Sequence, residues 1–466
     1  MVVNIQIEHT LKEIGSLAKK QGIPVYVVGG FVRDRILGIE SQDLDFVVEG
    51  DGPAFAELAE HALDGYGLAV HKRFGTASFQ AKGLKIEFVT ARKESYSKDS
   101  RNPVVEQASF SEDLARRDFT VNALAMCLDP DHYGEIIDPF NGIKDIRKRR
   151  LRTPLSPEET FSDDPLRMLR AARFASQLQF EIESKTLKAM SKERERLKIV
   201  SQERITDELL KILSHEKPSI GFYVLQKTGI LDIIFPELAD LIGVEQRDHY
   251  HHKDVFEHTM KVLDNTASVS DNLFLRFAAL VHDIGKPKVK RFQQGVGWTF
   301  HGHEGAGVQM IRKICPRLKL SNEMQKYGEK LTQLHMRPIH LVGEEVTDSA
   351  IRRLIVQGGE EIDDLLALCR ADITSGNPKR VKKHLANFDE VAEKMKLVEE
   401  KDRLRSFQSP VRGEEIMAVF NIPPGQLVGE IKSKIEEAIL DGEIPNDYDA
   451  AKEYLMKLKA SYPENQ

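Results

Sequence analysis

The spacing of apolar positions changes several times along the chain. From Asn4 to Gln21, Ile7, Leu11, Ile14, Leu17 and Ala18 recur every three or four residues, which predicts an amphipathic helix. Val25-Tyr-Val-Val28 is a β-branched and aromatic run that stops at Gly29-Gly30, so a strand is expected there, and Phe31 to Leu37 returns to helical spacing. Further strands are expected at Leu44 to Val48, Thr76 to Gln80 and Lys85 to Val89, the last two joined by a turn at Lys82-Gly83. Up to about residue 150 the pattern is α/β. Beyond Pro154 and Pro157 the strand signals thin out, whereas Leu166 to Phe174, Ile205 to Leu213 and Ile220 to Leu225 keep helical periodicity, so the rest is expected to be almost entirely helical. Pro410, Pro423-Pro424-Gly425 and Pro445-Asn446 punctuate a small helical tail that starts near residue 404.

Composition narrows the class. A length of 466 residues suggests about three domains, and 41% hydrophobic with 30% charged residues is ordinary globular usage. Cys127, Cys315 and Cys369 stand far apart, without a Cys-x-x-Cys pair, which argues against a zinc ribbon or disulfide framework and for a reducing, cytoplasmic setting. Runs such as Phe277 to Val281 are too short for a membrane span, and the N-terminus lacks a basic-then-apolar signal pattern, so a non-exported protein without a membrane partner is expected. The net charge of −6 gives no global attraction to nucleic acid, so any RNA site must be a local patch. Ten of the fifteen histidines fall between His249 and His384, the mark of a separate module.

Some residues carry recognisable chemistry. Gly29-Gly30 sits where backbone amides and a helix N-terminus can face phosphate oxygens, or where a strand simply turns. Asp43-Leu-Asp45 puts two acids on one face of a strand, which suits a shared divalent metal at a phosphoryl-transfer site as well as a solvated acidic turn. Glu87 is either a third carboxylate of that site or an edge-strand acid. Asp164 and Arg167, three apart in a helical pattern, share one face. Such a carboxylate and guanidinium can together satisfy the amino group and neighbouring acceptor of cytosine or adenine. Guanine and uracil would face the carboxylate with a carbonyl, leaving buried polar groups unpaired at about 1–3 kcal/mol each. An intrahelical salt bridge is the other reading of the pair.

The order Gly29-Gly30, Arg33-Asp34, Asp43-x-Asp45 resembles the nucleotidyltransferase superfamily head. Glu112-Asp-Leu-Ala-Arg-Arg-Asp-Phe-Thr-Val-Asn-Ala-Leu-Ala125 is similar to the motif of class II tRNA nucleotidyltransferases, the CCA-adding enzymes and their bacterial poly(A) polymerase relatives. The resemblance implies Mg²⁺ at Asp43 and Asp45 with Glu87 assisting, and a phosphate loop at Gly29, Gly30 and Arg33. It also implies ribose and triphosphate contacts from Arg117, Asp118 and Asn122. Asp163 to Phe174 resembles the nucleotide-selecting motif, with Asp163 where the family has glutamate; Asp164 and Arg167 would read the base, and Arg170 and Arg173 belong to the same nucleotide-binding set. Asp138-Pro-Phe-Asn-Gly-Ile-Lys-Asp145 is similar to the hinge turn that ends the head, and Gln202 to Leu213 to a motif in which Glu203, Arg204 and Glu208 brace the neck. Asp99-Ser-Arg101, within Tyr96 to Pro103, resembles the loop that CCA- and A-adding members use to switch to ATP, which argues against a pure CC-adder. Gly413 to Phe420 and Ile439 to Asn446 look like the tail of bacterial members, which contacts the tRNA elbow; the basic segments Lys144 to Arg152 and Lys379 to Lys383 are candidate phosphate contacts.

In the histidine module, His258, the pair His282-Asp283 within Leu280-Val-His-Asp-Ile-Gly-Lys286, and Asp372 resemble the HD phosphohydrolase superfamily. Imidazole and carboxylate ligands suit a divalent ion such as Mg²⁺, Mn²⁺, Ni²⁺ or Co²⁺, and His303 and His335 lie where dinuclear members carry further ligands. The expected architecture is an α/β nucleotidyltransferase head (1–150) followed by all-α neck (151–215), body (216–245), HD (246–400) and tail (401–466) domains. The expected activity is untemplated addition of C and A to tRNA from CTP and ATP, with a metal-dependent hydrolase in the HD domain. An A-adding enzyme or poly(A) polymerase is the first alternative. An HD phosphohydrolase with a decayed, RNA-binding head is the second, opposed by the intact Asp43, Asp45, Asp118 and Arg167. Nothing in the pattern sets an oligomeric state.

Overall fold

A computed structural model describes residues 5–95, 104–248, 251–341, 347–374, 378–402 and 409–462. The chain divides into two compact units, residues 1–239 and 240–466.

The first unit is built on a seven-stranded sheet. Its order is Tyr66–His71, Thr76–Ala81, Leu84–Thr90, Asp43–Val48, Val25–Val28, Ala125–Cys127 and Ile136–Ile137. Asp43–Val48 and Leu84–Thr90 run parallel, and their register sets Asp43 opposite Lys85 and Asp45 opposite Glu87. Alternation does the positioning: Leu44 and Phe46 are fully buried on one face, where Phe46 stacks on Phe88 at 4.8 Å, so Asp43 and Asp45 must project from the other. Helix Gly52–Ala62, capped by Asp51, buries Phe55 against the same phenylalanine layer.

Every strand expected from alternation is present within one or two residues of its bounds, as are the first helix, Ile5–Gln21, and helix Gly30–Leu37. Three strands of the sheet carried no signal. Tyr66–His71 is an edge strand with no buried residue, and Ala125–Cys127 and Ile136–Ile137 are too short to alternate. Helices Pro157–Asp163, Arg167–Leu178, Ser184–Glu193, Gln202–Leu213 and Pro218–Lys227 follow the sheet in the same unit.

The second unit is mostly helical. Helices Val255–Ala267, Leu273–Val281, His303–Arg317, Asn322–Leu334 and Ile362–Asp372 surround the histidines, and Pro378–Asp402 follows. The last three helices, Gly413–Phe420, Gln426–Leu440 and Tyr448–Ser461, close over Val411, Ile416, Ile431, Ile435, Ile439, Ala451 and Leu455. The chain after residue 150 is almost entirely helical, as expected, with three short β pairs among its helices: Arg150–Leu151 with Glu181–Ile182, Glu245–Asp248 with His251–Asp254, and Arg291–Gln293 with Gly297–Thr299. Segments of two to four residues are too short to show a period. No described helix is long and apolar enough to cross a membrane.

Candidate active sites

Within the first unit a cleft of about 680 Å³ is lined by Gly29, Gly30, Arg33, Asp43, Asp45, Glu87, Arg117, Asp118, Asn122, Asp164, Arg167, Arg170 and Arg173. Every residue expected from the sequence to catalyse or to bind nucleotide in the head therefore lines one cavity, of a size usual for small-molecule sites.

One wall is acidic. Asp45 keeps an exposed tip, but the cleft draws water away from it and the Glu87 and Asp43 carboxylates crowd it, so its pKa is raised despite the opposing Arg117. Among the described residues, none of these three carboxylates has a side-chain hydrogen bond or ion pair. Three acids gathered in one place without a direct hydrogen-bond or ion-pair partner fit a divalent cation, the group the resemblance implies.

The opposite wall is basic and tightly organised. Gly29 has φ 72°, a left-handed conformation suited to glycine, and a Cβ there would lie 3.0 Å from the Arg117 guanidinium. Helix Gly30–Leu37 thus begins beside Arg117, whose Nε is buried without a partner while its other end is held by the buried Asp113. Arg33 is buried, bonds Asp34, and donates to Asn122 Oδ1 at 2.7 Å; Asn122 donates to Asp118 Oδ1 at 3.0 Å; Arg170 donates twice to Asp118 Oδ2 at 2.8 and 2.6 Å. Arg173 pairs with Glu208 at 2.8 Å.

Asp118, expected among the ribose and triphosphate contacts, has its acceptor directions taken within the protein. Its Oδ1 already takes Asn122 and the Phe119 amide, and its Oδ2 takes both Arg170 nitrogens, which fills a carboxylate's four acceptor directions. In this arrangement it positions Arg170 and Asn122. Arg170 and Asn122 overcome the cost of burial and hold its pKa at about 2, below the ordinary 3.8. A depressed folded pKa stabilises fully above the unfolded value, and the gain is lost as pH falls from about 4 toward 2. Asp118→Asn is therefore expected to cost about 2 kcal/mol at neutral pH, less than a fully buried pair because Arg170 is 35% exposed. Thermal unfolding from pH 7 down to pH 3 checks this: the gap between wild type and variant should narrow below pH 4.

Asp164 and Arg167 do not share a helix, which corrects the geometric premise drawn from their spacing. Helix Pro157–Asp163 ends at Asp164, whose backbone is extended (φ −132°, ψ 101°), and the next helix starts at Arg167. Asp164 Oδ1 accepts from the Leu166 amide at 3.1 Å and its other oxygen pairs with Arg204 at 3.4 Å, so the intrahelical salt bridge does not form. The Arg167 guanidinium is buried, with the Thr160 carbonyl at 3.4 Å. Arg204, expected only as a neck brace, also lines the cleft, as do Phe174 and Gln177, which carried no signal of their own. In the basic segment Lys144 to Arg152, Arg150 and Arg152 are committed to the buried Asp145, leaving Lys144, Arg147, Lys148 and Arg149 exposed. Asp99-Ser-Arg101 lies outside the described residues.

The second unit gathers a different set. His258 Nε2 lies 2.8 Å from Asp372 Oδ1 and 3.5 Å from Asp283 Oδ2, and His282 Nε2 lies 3.2 Å from Asp283 Oδ2. On the other side of Asp283, its Oδ1 is 3.4 Å from His303 Nε2 and 3.8 Å from His335 Nε2. Two ligand groups result, His258, His282 and Asp372, and Asp283, His303 and His335.

Neighbouring oxygens fix the rings. Nδ1 of His282, His303 and His335 lies 2.7–2.9 Å from the carbonyls of Ala279, Phe300 and Thr332, and Nδ1 of His258 lies 2.8 Å from the Thr374 hydroxyl. A carbonyl can only accept, so these three Nδ1 atoms carry a hydrogen, which leaves Nε2 as the atom each ring aims at the centre, the position from which a histidine ligates. His303 and His335 Nε2 atoms then face each other at 3.2 Å, a pairing that asks for a cation between them. Burial opposes charge on His282, yet Asp283 and Asp372 raise it to about 10; burial and the neighbouring His282 lower His335 to about 4. The donor set fits divalent metal. Gly285 allows the crossing: a Cβ there would meet the His303 carbonyl at 2.2 Å, so only glycine lets the Asp283 turn lie against the helix that starts at His303. Lys286, buried, pairs with Asp283 at 2.6 Å.

Known proteins share these parts. Three family models match: the Poly A polymerase head domain over residues 25–152, the Probable RNA and SrmB- binding site of polymerase A over 179–242, and the HD domain over 255–375. The A-adding tRNA nucleotidyltransferase of Deinococcus radiodurans is 30% identical over 433 residues, covering 91% of this chain and 93% of that protein. The Multifunctional CCA protein of Vibrio campbellii is 34% identical over 363 residues, covering 75% and 84%. The Bacillus stearothermophilus CCA-adding enzyme, solved in complex with CTP, superposes with a TM-score of 0.66 at 26% identity, covering 97% of this chain and 98% of that one.

Proposed function

The chain belongs to the family of CCA- and A-adding tRNA nucleotidyltransferases, and from that premise we propose that it extends the 3′ end of tRNA with C and A, taken from CTP and ATP without a nucleic-acid template. The observation that supports this most is the cleft itself, where three carboxylates and a set of fixed guanidinium groups line one cavity. In this reading the parts of the chain are the head, neck, body, HD and tail segments delimited above, and the setting is cytoplasmic.

Asp43 and Asp45 would hold Mg²⁺, which supplies charge neutralisation at the α-phosphate and at the leaving pyrophosphate. Glu87, beside Asp45 in register, accepts the proton of the tRNA 3′-hydroxyl as that oxygen attacks the α-phosphorus. The Gly29-Gly30 turn and Arg117 receive the triphosphate, the latter with its unpartnered Nε. Asp118 holds Arg170 and Asn122 in place, and Arg173 is held by Glu208. Asp164 accepts from the exocyclic amino group shared by cytosine and adenine, and Arg167 donates to the adjacent ring acceptor.

Arg167→Ala tests base reading. It is expected to lower the kcat/KM preference for C and A over U and G about tenfold, the equivalent of one unpaired buried group, while tRNA binding persists; unchanged discrimination would leave Arg167 a purely structural residue. The A-adding alternative is kept because the Deinococcus radiodurans relative, an A-adding tRNA nucleotidyltransferase, matches over 91% of this chain. Product length separates it from the full activity. With tRNA lacking all of CCA, an A-adder extends nothing from CTP; with tRNA lacking only the last A, both enzymes add one residue from ATP, whereas a poly(A) polymerase continues.

The second unit is proposed as a phosphohydrolase. His258, His282 and Asp372 with Asp283, His303 and His335 would hold one or two ions of Mg²⁺, Mn²⁺, Ni²⁺ or Co²⁺, which supply Lewis acidity and an activated water. Lys286 holds Asp283 in the orientation that serves both groups.

A further inference from the structure

Between the turn that carries Asp283 and the helix that carries His303, the chain forms a small hairpin, Arg291–Gln293 paired with Gly297–Thr299, whose second strand lies against Glu245–Asp248. The hairpin is thus spliced between two ligand-bearing elements: Lys286 and Asp283 precede it, and Phe300, whose carbonyl orients the His303 ring, follows it directly. Lys286 Nζ lies 5.7 Å from the Phe300 ring.

Its composition is unlike the rest of the chain. From Ile284 to His303 there is no acidic residue, but there are Lys286, Lys288, Lys290 and Arg291, in a protein that carries 73 acids against 67 bases. The hairpin also exposes what a soluble surface ordinarily hides. Phe292 is 65% exposed and Trp298 38% exposed, although a two-stranded hairpin gains stability from burying such rings. The two are cross-strand partners, so they lie on one face of the hairpin, with ring centroids 5.3 Å apart. Lys290 holds its ammonium 4.4 Å from the Trp298 ring, which fixes the indole and leaves Phe292 as an open flat surface beside it. Exposed aromatic rings with a run of cations leading up to them match flat bases joined by phosphates, since stacking accepts any base and the cations follow the backbone.

We propose that this hairpin is a stacking platform for a single-stranded RNA 3′ end, seating the terminal bases on Phe292 and Trp298 and the phosphates on Lys288, Lys290 and Arg291 so that the end phosphate reaches the histidine–aspartate centre. The proposal deepens the hydrolase reading above and rests on it for the destination of the RNA end. The platform itself is separable from that reading, because it makes a claim about binding alone.

Trp298 is the only tryptophan in the chain, so its emission reports on the platform without labelling. Full-length protein is titrated with a short single-stranded oligoribonucleotide ending in a 2′,3′-cyclic phosphate, and with a blunt RNA duplex as control. Quenching by the single strand, weakened about tenfold or more by the pair Lys290→Ala and Arg291→Ala, is the expected result. Phe292→Ala, which keeps the reporter, should weaken binding by a similar factor. In parallel, the ratio of kcat/KM for the cyclic-phosphate oligonucleotide to that for bis(p-nitrophenyl) phosphate should fall about tenfold in Trp298→Ala, through KM rather than kcat. Unaltered emission with the single strand, or a ratio that does not move, overturns the platform. So does sedimentation showing that Phe292→Ser dissociates a dimer while RNA binding is untouched, for then the aromatic face meets a second copy of the chain. If the wild type hydrolyses neither substrate with any metal, the hydrolase reading fails and the titration alone decides the platform.

Discussion

Asp45→Asn in the full-length chain is expected to reduce incorporation of CTP into tRNA lacking CCA by about a thousandfold or more, while the protein becomes slightly more stable. The loss follows from chemistry. Asp43 and Asp45 are the two carboxylates that alternation forces onto the cleft face, and an amide in place of one keeps the shape but removes half of the charge available to a divalent ion. The stability gain follows from electrostatics. Cleft burial and the neighbouring Glu87 and Asp43 raise the Asp45 pKa, so the ionised form is disfavoured in the folded state. A carboxyl whose folded pKa is raised weakens the fold above that pKa and ceases to do so once protonated; the neutral amide removes the penalty at pH 7. The variant should therefore unfold at a slightly higher temperature than the wild type at pH 7, with the difference vanishing at acid pH. Calorimetry beside the incorporation assay checks both halves. Near-normal incorporation at saturating Mg²⁺ would remove Asp45 from the catalytic centre, and a marked fall in unfolding temperature would mean that Asp45 is a structural acid. Opposite signs for activity and stability are what a site built for a charged reactant should give.

The sequence already contained the acidic wall, since Asp43 and Asp45 are two apart on an alternating strand and alternation sends both to one face. What it did not contain is the pairing of that strand with Leu84–Thr90 in parallel, which depends on long-range register and sets Glu87 directly opposite Asp45. Asp164 and Arg167 show the reverse case. Their spacing suggested one helix face, but Pro165, visible in the sequence, disfavours a helical backbone at Asp164 and interrupts the helix there, and the Asp164 carboxylate then accepts from the Leu166 amide. Asp118 was legible as a member of the cleft but not as a residue with every acceptor direction filled, because its partners Asn122 and Arg170 come from separate elements. The histidine centre was legible as a set of ligand types, and its division into two groups about Asp283 was not. That division arises where helices more than a hundred residues apart in sequence, such as Val255–Ala267 and Ile362–Asp372, come together.

Asp283→Asn is expected to abolish metal-dependent hydrolysis in the second unit, by at least about a hundredfold, and to change nucleotide incorporation by less than about twofold. Asp283 is the residue with the largest effect because its two oxygens face different groups: Oδ2 faces His258 and His282, and Oδ1 faces His303 and His335. Loss of its charge weakens both groups together, whereas loss of one histidine touches a single group. The amide is preferred to alanine since Asp283 is buried and bonds the buried Lys286; truncation would also empty volume beside the ligands, and the result would report altered packing instead of chemistry. Incorporation should survive because the cleft residues, from Gly29 to Arg204, all belong to residues 1–239, and the histidine ligands all belong to residues 240–466, each unit with its own contacts. Bound Mn²⁺ or Ni²⁺, measured by elemental analysis after gel filtration, should fall in step with hydrolysis of bis(p-nitrophenyl) phosphate. Hydrolysis that persists in the variant would place the reaction elsewhere. Incorporation that falls in parallel would mean that the two centres depend on each other, and a variant that keeps its metal but loses hydrolysis would assign Asp283 to substrate or proton handling instead of to coordination.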